Sequence, residues 1–217
     1  MERLQLLKHV FQELERNNIV YCVLRNYGFL IENRAPHSAS ESSIDLCVSQ
    51  KNFLCFDEHM KELGFQTRQP QFSQKHVAYF IIHHLQPISF DVQIGGVHWN
   101  DICYLPEQDI LAHRAKKGFF YAPSDNDQAA MLILHSILGK RRFKPEYQEK
   151  ISQLWDTVDT VYISQKIQDA LGFNSATQIM DMVDKNRFNE IISRKYKYIF
   201  LFVASPQRIL VFAALLF

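Results

Sequence analysis

Ser43-Ile44-Asp45-Leu46-Cys47-Val48 alternates strictly: Ile44, Leu46 and Val48 fall to one side of an extended chain, Ser43, Asp45 and Cys47 to the other. Residues 88–94 repeat the pattern, with Ile88, Phe90, Val92 and Ile94 inward and Ser89, Asp91 and Gln93 outward. Each segment therefore predicts a strand with one apolar face and one acid on its polar face. If the strands are neighbours, Asp45 and Asp91 converge. Two converging carboxylates repel, so at neutral pH the pair needs a shared proton or a cation. Magnesium, a hard ion with a preference for oxygen, suits that position.

Working outward, Leu4, Leu7, Val10, Phe11 and Leu14 recur at helical spacing, so residues 4–14 predict an amphipathic helix stopped by Asn17-Asn18. Residues 19–24 form a continuous β-prone run, the pattern of a strand covered on both faces. A polar stretch with Gly28, Pro36 and several serines predicts a loop over 25–42. A helix is expected over 50–63, closed by Gly64, with strands over 65–68, 77–83 and 88–94. Gly95-Gly96 ends the last of these. A short helix over 106–112 and a strand over 119–121 follow. From Ser124 or Asp125, which can cap a helix reaching residue 138, the pattern becomes helical, with loops near Gly139, Gly172 and Asn186. The expected class is α+β: a mixed sheet flanked by helices over residues 1–122, then a helical domain over 123–217.

Composition narrows the functions on offer. Hydrophobic residues make up 47% and charged residues 22%, ordinary values for a compact globular chain. The formal net charge of +1 supplies no general attraction for nucleic acid, so none is expected as a partner. Cys22, Cys47, Cys55 and Cys103 form no CxxC pair, which argues against zinc, and Met1-Glu2-Arg3 leads into no signal peptide; reduced thiols without an export signal predict a cytoplasmic protein. Residues 198–217 are apolar over a membrane-like length, but Pro206 and Arg208 interrupt them, so two short packed helices are expected instead of a span. The ending Leu215-Leu216-Phe217 leads us to expect a contiguous or partner domain against the C-terminus.

Tyr21-Cys22-Val23-Leu24-Arg25-Asn26, Ser43-Ile44-Asp45-Leu46-Cys47-Val48 and Phe90-Asp91-Val92-Gln93 resemble, in order and spacing, the minimal nucleotidyltransferase domains of the DNA polymerase beta superfamily. The similarity covers roughly residues 1–145. It is nearest to nucleotidyltransferase-like domains that sometimes precede a thymidylate-kinase-like domain. The resemblance implies magnesium-dependent transfer of a nucleoside monophosphate from a nucleoside triphosphate to an unknown hydroxyl acceptor. It implies that Asp45 and Asp91 are catalytic and hold the metal, and that Arg25, Asn26 and Ser43 contact nucleotide. Lys140 and Lys144, in the basic run Lys140-Arg141-Arg142 to Lys144, would contact the phosphates from the helical domain, unless that run is simply a solvated face.

Two positions depart from the pattern. Ser43 stands where the first carboxylate of an Asp-x-Asp pair belongs, so a two-metal site would be incomplete. Glu41 is the nearest acid upstream. Arg25-Asn26 replaces the usual Gly-Ser turn and lacks the permissive glycine. The alternative function is a catalytically impaired relative that acts as a nucleotide-binding or protein-interaction module. His98 and Trp99, after Gly95-Gly96, either line an acceptor pocket as base and stacking surface or close the core behind a turn. His83 and His84, alternating across a strand, would not share a metal.

Overall fold

The structure, a computed structural model, describes residues 3–34, 43–68, 73–84 and 86–204. Glu41 and residues 205–217 lie outside the described residues. The chain divides into two compact units, Met1–Ser124 and Asp125–Phe217.

The first unit is built on a five-stranded mixed sheet in the order β1-β2-β5-β4-β3. Its strands are β1 (Tyr21–Val23), β2 (Ser43–Val48), β3 (Gln66–Arg68), β4 (His76–His83) and β5 (Gln86–Ile94). β2 runs parallel to β5 and antiparallel to β1, while β4 is antiparallel to both β3 and β5. The alternating residues behave as their pattern dictates: Ile44, Leu46, Val48, Ile88, Phe90, Val92 and Ile94 are all buried.

Helix α1 (Arg3–Arg16) buries Leu6, Leu7, Val10, Phe11 and Leu14 in the core beneath that face, and α3 (Phe53–Glu62) adds Phe56 and Met60. Phe11 sits at the centre. Its ring lies 5.4 Å from Tyr21, 6.0 Å from Phe90 and 5.9 Å from Phe120, so one aromatic ties α1 to three strands. Gly64 ends the α3 region at φ 87°, the left-handed conformation glycine adopts without a Cβ clash.

Several elements differ from expectation. The 25–42 stretch contains a one-turn helix, α2 (Gly28–Ile31), because Phe29 and Leu30 bury themselves against the core. Gly95-Gly96 ends β5 but also opens a hairpin of β6 (Gly96–Trp99) and β7 (Ile102–Pro106), which leads into α4 (Glu107–Ala112). A second hairpin pairs β8 (Ala115–Lys117) with β9 (Phe120–Ala122). Cys47, assigned to the polar face, is fully buried; its neighbourhood holds the Gly96 backbone and Cys103, and burial pushes its thiol up to about 12. β4 ends at His83 and His84 turns at φ 47°, so the two rings meet 4.3 Å apart instead of alternating.

The second unit is helical: α5 (Asp125–Leu134), a π-helical turn over His135–Lys140, α6 (Pro145–Trp155), α7 (Thr160–Leu171), α8 (Phe173–Asp184), α9 (Phe188–Ser193) and α10 (Lys195–Val203). α10 buries Tyr198 and Phe202 and exposes Tyr196 and Phe200. Among the described residues no helix is long and apolar enough to cross a membrane.

Candidate functional site

The polar face of the sheet carries the candidate site, and strand register assembles it. Asp45 on β2 is the direct partner of Asp91 on β5, and Ser43 is the partner of Ser89. Register partners share a face, and neighbouring strands lie about 4.8 Å apart. Unneutralised, two carboxylates about 5 Å apart repel by about 3 kcal/mol at an effective dielectric of about 20. The pair therefore needs positive charge.

For Asp45 that charge comes from the chain. The Arg25 guanidinium, just beyond the end of β1, donates from Nε to Asp45 Oδ2 at 2.9 Å, with side chains 6% and 13% exposed. His76, the first residue of β4, bonds through Nε2 to Asp91 Oδ1; these side chains are 33% and 35% exposed. β4 pairs antiparallel with β5 so that Ala78 stands opposite Asp91, and His76 reaches the acid diagonally along the same face. The bond to Asp91 raises the His76 pKa; burial and the Arg25 charge oppose this, and the charges of Asp91 and Asp45 add to it. A carboxylate only accepts, so His76 Nε2 carries a proton in this bond.

Local structure holds these groups in place. Asn26 adopts φ 58°, so the turn after β1 keeps the left-handed conformation for which glycine is the usual choice; asparagine is the side chain that tolerates it next best. Leu24 N donates to Asp45 O at 2.8 Å, fixing the strand end next to Arg25. Asp101, itself at φ 59°, accepts from Ser73 Oγ and from the backbone N–H groups of Gln74 and Lys75, which pins the chain immediately before His76.

His98 borders the same region. Its backbone N–H donates to Gln93 Oε1 at 2.6 Å, and Nδ1 lies 3.1 Å from the Gly96 carbonyl. A carbonyl only accepts, so Nδ1 bears the hydrogen and Nε2 the lone pair. Burial, then the charge of Lys75, lowers its pKa to about 4; the ring is neutral at pH 7 and does not titrate there.

Of the residues singled out from sequence, Arg25, Asn26, Ser43, Asp45 and Asp91 all belong to this end of the sheet. Lys140 and Lys144 belong to the second unit. Lys140 is exposed at the end of the π-helical turn. Lys144 precedes α6, lies 3.5 Å from Glu146 and sits 5.4 Å over the Tyr147 ring. Sequence reasoning missed His76, for which no motif exists. The β4–β5 hairpin offered a signal: once His83 pairs with Gln86, counting back along both strands sets His76 beside the Asp91 face.

A two-metal centre requires more donors than the described residues of this face supply. Magnesium takes near-octahedral oxygen coordination. The described residues offer two carboxylates and a hydroxyl at position 43, with an oxygen of each carboxylate already bonded, one to the Arg25 guanidinium and one to the His76 imidazole. Among the described residues, no group of three or more His, Cys, Asp and Glu is arranged to hold a metal ion. The described residues of this face do not fit the pair of ions that the resemblance implies.

No protein-family model matches the chain, and no curated protein matches it in sequence. Among solved structures, a similar one is the solution structure of the antibiotic-resistance factor ANT(2'')-Ia, with 7% identity, covering 89% of this chain and 97% of that one, at a TM-score of 0.49.

Proposed function

We propose that this protein is a nucleotidyltransferase-like module that binds a nucleoside triphosphate on the polar face of its five-stranded sheet. One observation carries the reading: Asp45 and Asp91, brought from separate segments, stand in register on adjacent parallel strands beside the Arg25-Asn26 turn. This is the arrangement implied by the resemblance over residues 1–145. Binding, not transfer, is the activity that suits the site, because the carboxylates are engaged by Arg25 and His76 and position 43 has no charge. Transfer of a nucleotidyl group draws most of its acceleration from charge stabilisation at the phosphates, which a missing ligand removes.

Calorimetry with each of the common nucleoside triphosphates, with and without magnesium, tests the reading. We expect binding to at least one of them; absence of heat for all of them rules the nucleotide out. α-Labelled nucleotides incubated with protein and cell extract should leave no label on any acceptor.

A second reading, residual transferase activity, is favoured by retention of both acids. Its test is Ser43→Asp, which restores the third carboxylate. Label transfer that appears in this variant and vanishes on adding Asp45→Asn would identify a decayed catalytic centre.

A further inference from the structure

We propose that the carboxylate pair is a metal-independent centre, in which the Arg25 guanidinium supplies from the chain itself the positive charge that a divalent cation would otherwise bring to Asp45, and His76 occupies Asp91 with a directed hydrogen bond. Arg25 and His76 engage the two acids whether or not a nucleotide binds there.

Geometry makes the case. The two acids are obliged to lie side by side by the β2–β5 register, so they must be neutralised in any folded state. Arg25 does this for Asp45 from a nearly buried position, and a guanidinium remains protonated in a protein at every accessible pH. For a metal ion to take Asp45, Arg25 would have to be displaced or left beside a dication. Stranding one member of a buried pair is strongly unfavourable, because the remaining charge has lost both its partner and its water.

His76 engages Asp91 with a directed hydrogen bond, and the Asp101 clasp on residues 73–75 fixes the strand from which it reaches. Ser43 fits the same picture. Its hydroxyl adds no negative charge to the two acids that Arg25 and His76 already engage. A third carboxylate at that position would leave the group with an excess negative charge and attract a cation. The four side chains and the serine are mutually consistent as a set that needs no ion.

The test uses the full chain and manganese alone, a paramagnetic ion that takes the same oxygen ligands as magnesium. Free manganese is followed by electron paramagnetic resonance as protein is added. The wild-type chain should leave the free signal unchanged at millimolar metal, and its melting temperature should not move with magnesium or with chelator. His76→Ala, at a half-exposed position where the fold should survive, releases Asp91 and should raise manganese affinity at least tenfold. The double variant Arg25→Ala/His76→Ala should raise it further, with circular dichroism checking that it folds.

Stoichiometric manganese binding by the wild-type chain that Asp45→Asn abolishes would overturn the proposal. So would a folded His76→Ala variant that gains no affinity. Failure to bind any nucleotide removes the proposed function and leaves this result standing.

Discussion

At the scale of single residues, the Arg25–Asp45 pair and His98 give the firmest expectations. The pair is nearly buried, so removing one partner leaves an uncompensated charge. Asp45→Asn should destabilise the first unit by about 3–5 kcal/mol in urea unfolding, whereas an exposed ion pair such as Lys61–Asp57 should be worth less than about 1 kcal/mol. A loss below about 1 kcal/mol for Asp45→Asn would mean that water screens the pair. His98 imposes a pH dependence. Its folded pKa of about 4 lies below the ordinary value of 6.5, so between these limits the unfolded chain binds the extra proton. The contribution to stability is therefore complete above pH 6.5 and is lost as the pH falls towards 4, by up to about 3 kcal/mol. His98→Gln should flatten that part of the stability profile, and an unchanged slope would show that His98 is solvated.

At the scale of elements, turns and caps decide whether the strands meet in register. Gly96 at φ 139° opens the β6–β7 hairpin, and a Cβ built there would lie 2.7 Å from the Leu105 carbonyl oxygen. Gly96→Ala therefore forces the backbone apart as well as straining φ, and should cost about 2–4 kcal/mol by melting or denaturant. The effect should spread to the Cys47 thiol, whose burial the hairpin provides: labelling by a thiol reagent should accelerate. In the helical unit, Asp159 caps α7 by accepting from Val161 N and Tyr162 N at 2.9 and 3.1 Å. Asp159→Ala should cost about 1 kcal/mol. Much of this scale was readable from the chain. The strand of residues 44–48, the helix closed by Gly64 and the alternation of residues 88–94 follow from period and punctuation. The β6–β7 hairpin and α2 were not, because both are too short to show a period and form only against the core they help to cover.

At the scale of the whole molecule, each of the two units has a core of its own kind. The first is an aromatic cluster around Phe11, in which rings from α1, β1, β5 and β9 touch. Phe11→Ala removes the one ring common to these contacts and should lower the stability of the first unit by about 3–5 kcal/mol, read from tryptophan fluorescence and circular dichroism together. A smaller loss would mean the neighbouring rings collapse into the space. The second unit depends instead on helix packing, with Ile163 and Ile167 of α7 and Ile179 and Val183 of α8 buried. Its buried residues recur at helical spacing, four apart along α7 and α8.

Local chemistry in the chain determined the alternation that gives each acid-bearing strand one apolar and one polar face, and hence that Asp45 and Asp91 lie opposite an apolar layer. It also determined that position 43 carries no charge. Which cation meets which acid was left to tertiary structure. Arg25 and Asp45 are twenty residues apart and His76 and Asp91 fifteen, and nothing in their local sequence couples them. Strand order and register do so, because a shift of one residue in a β-pair turns a side chain to the opposite face, and that choice is made by the packing of the entire sheet.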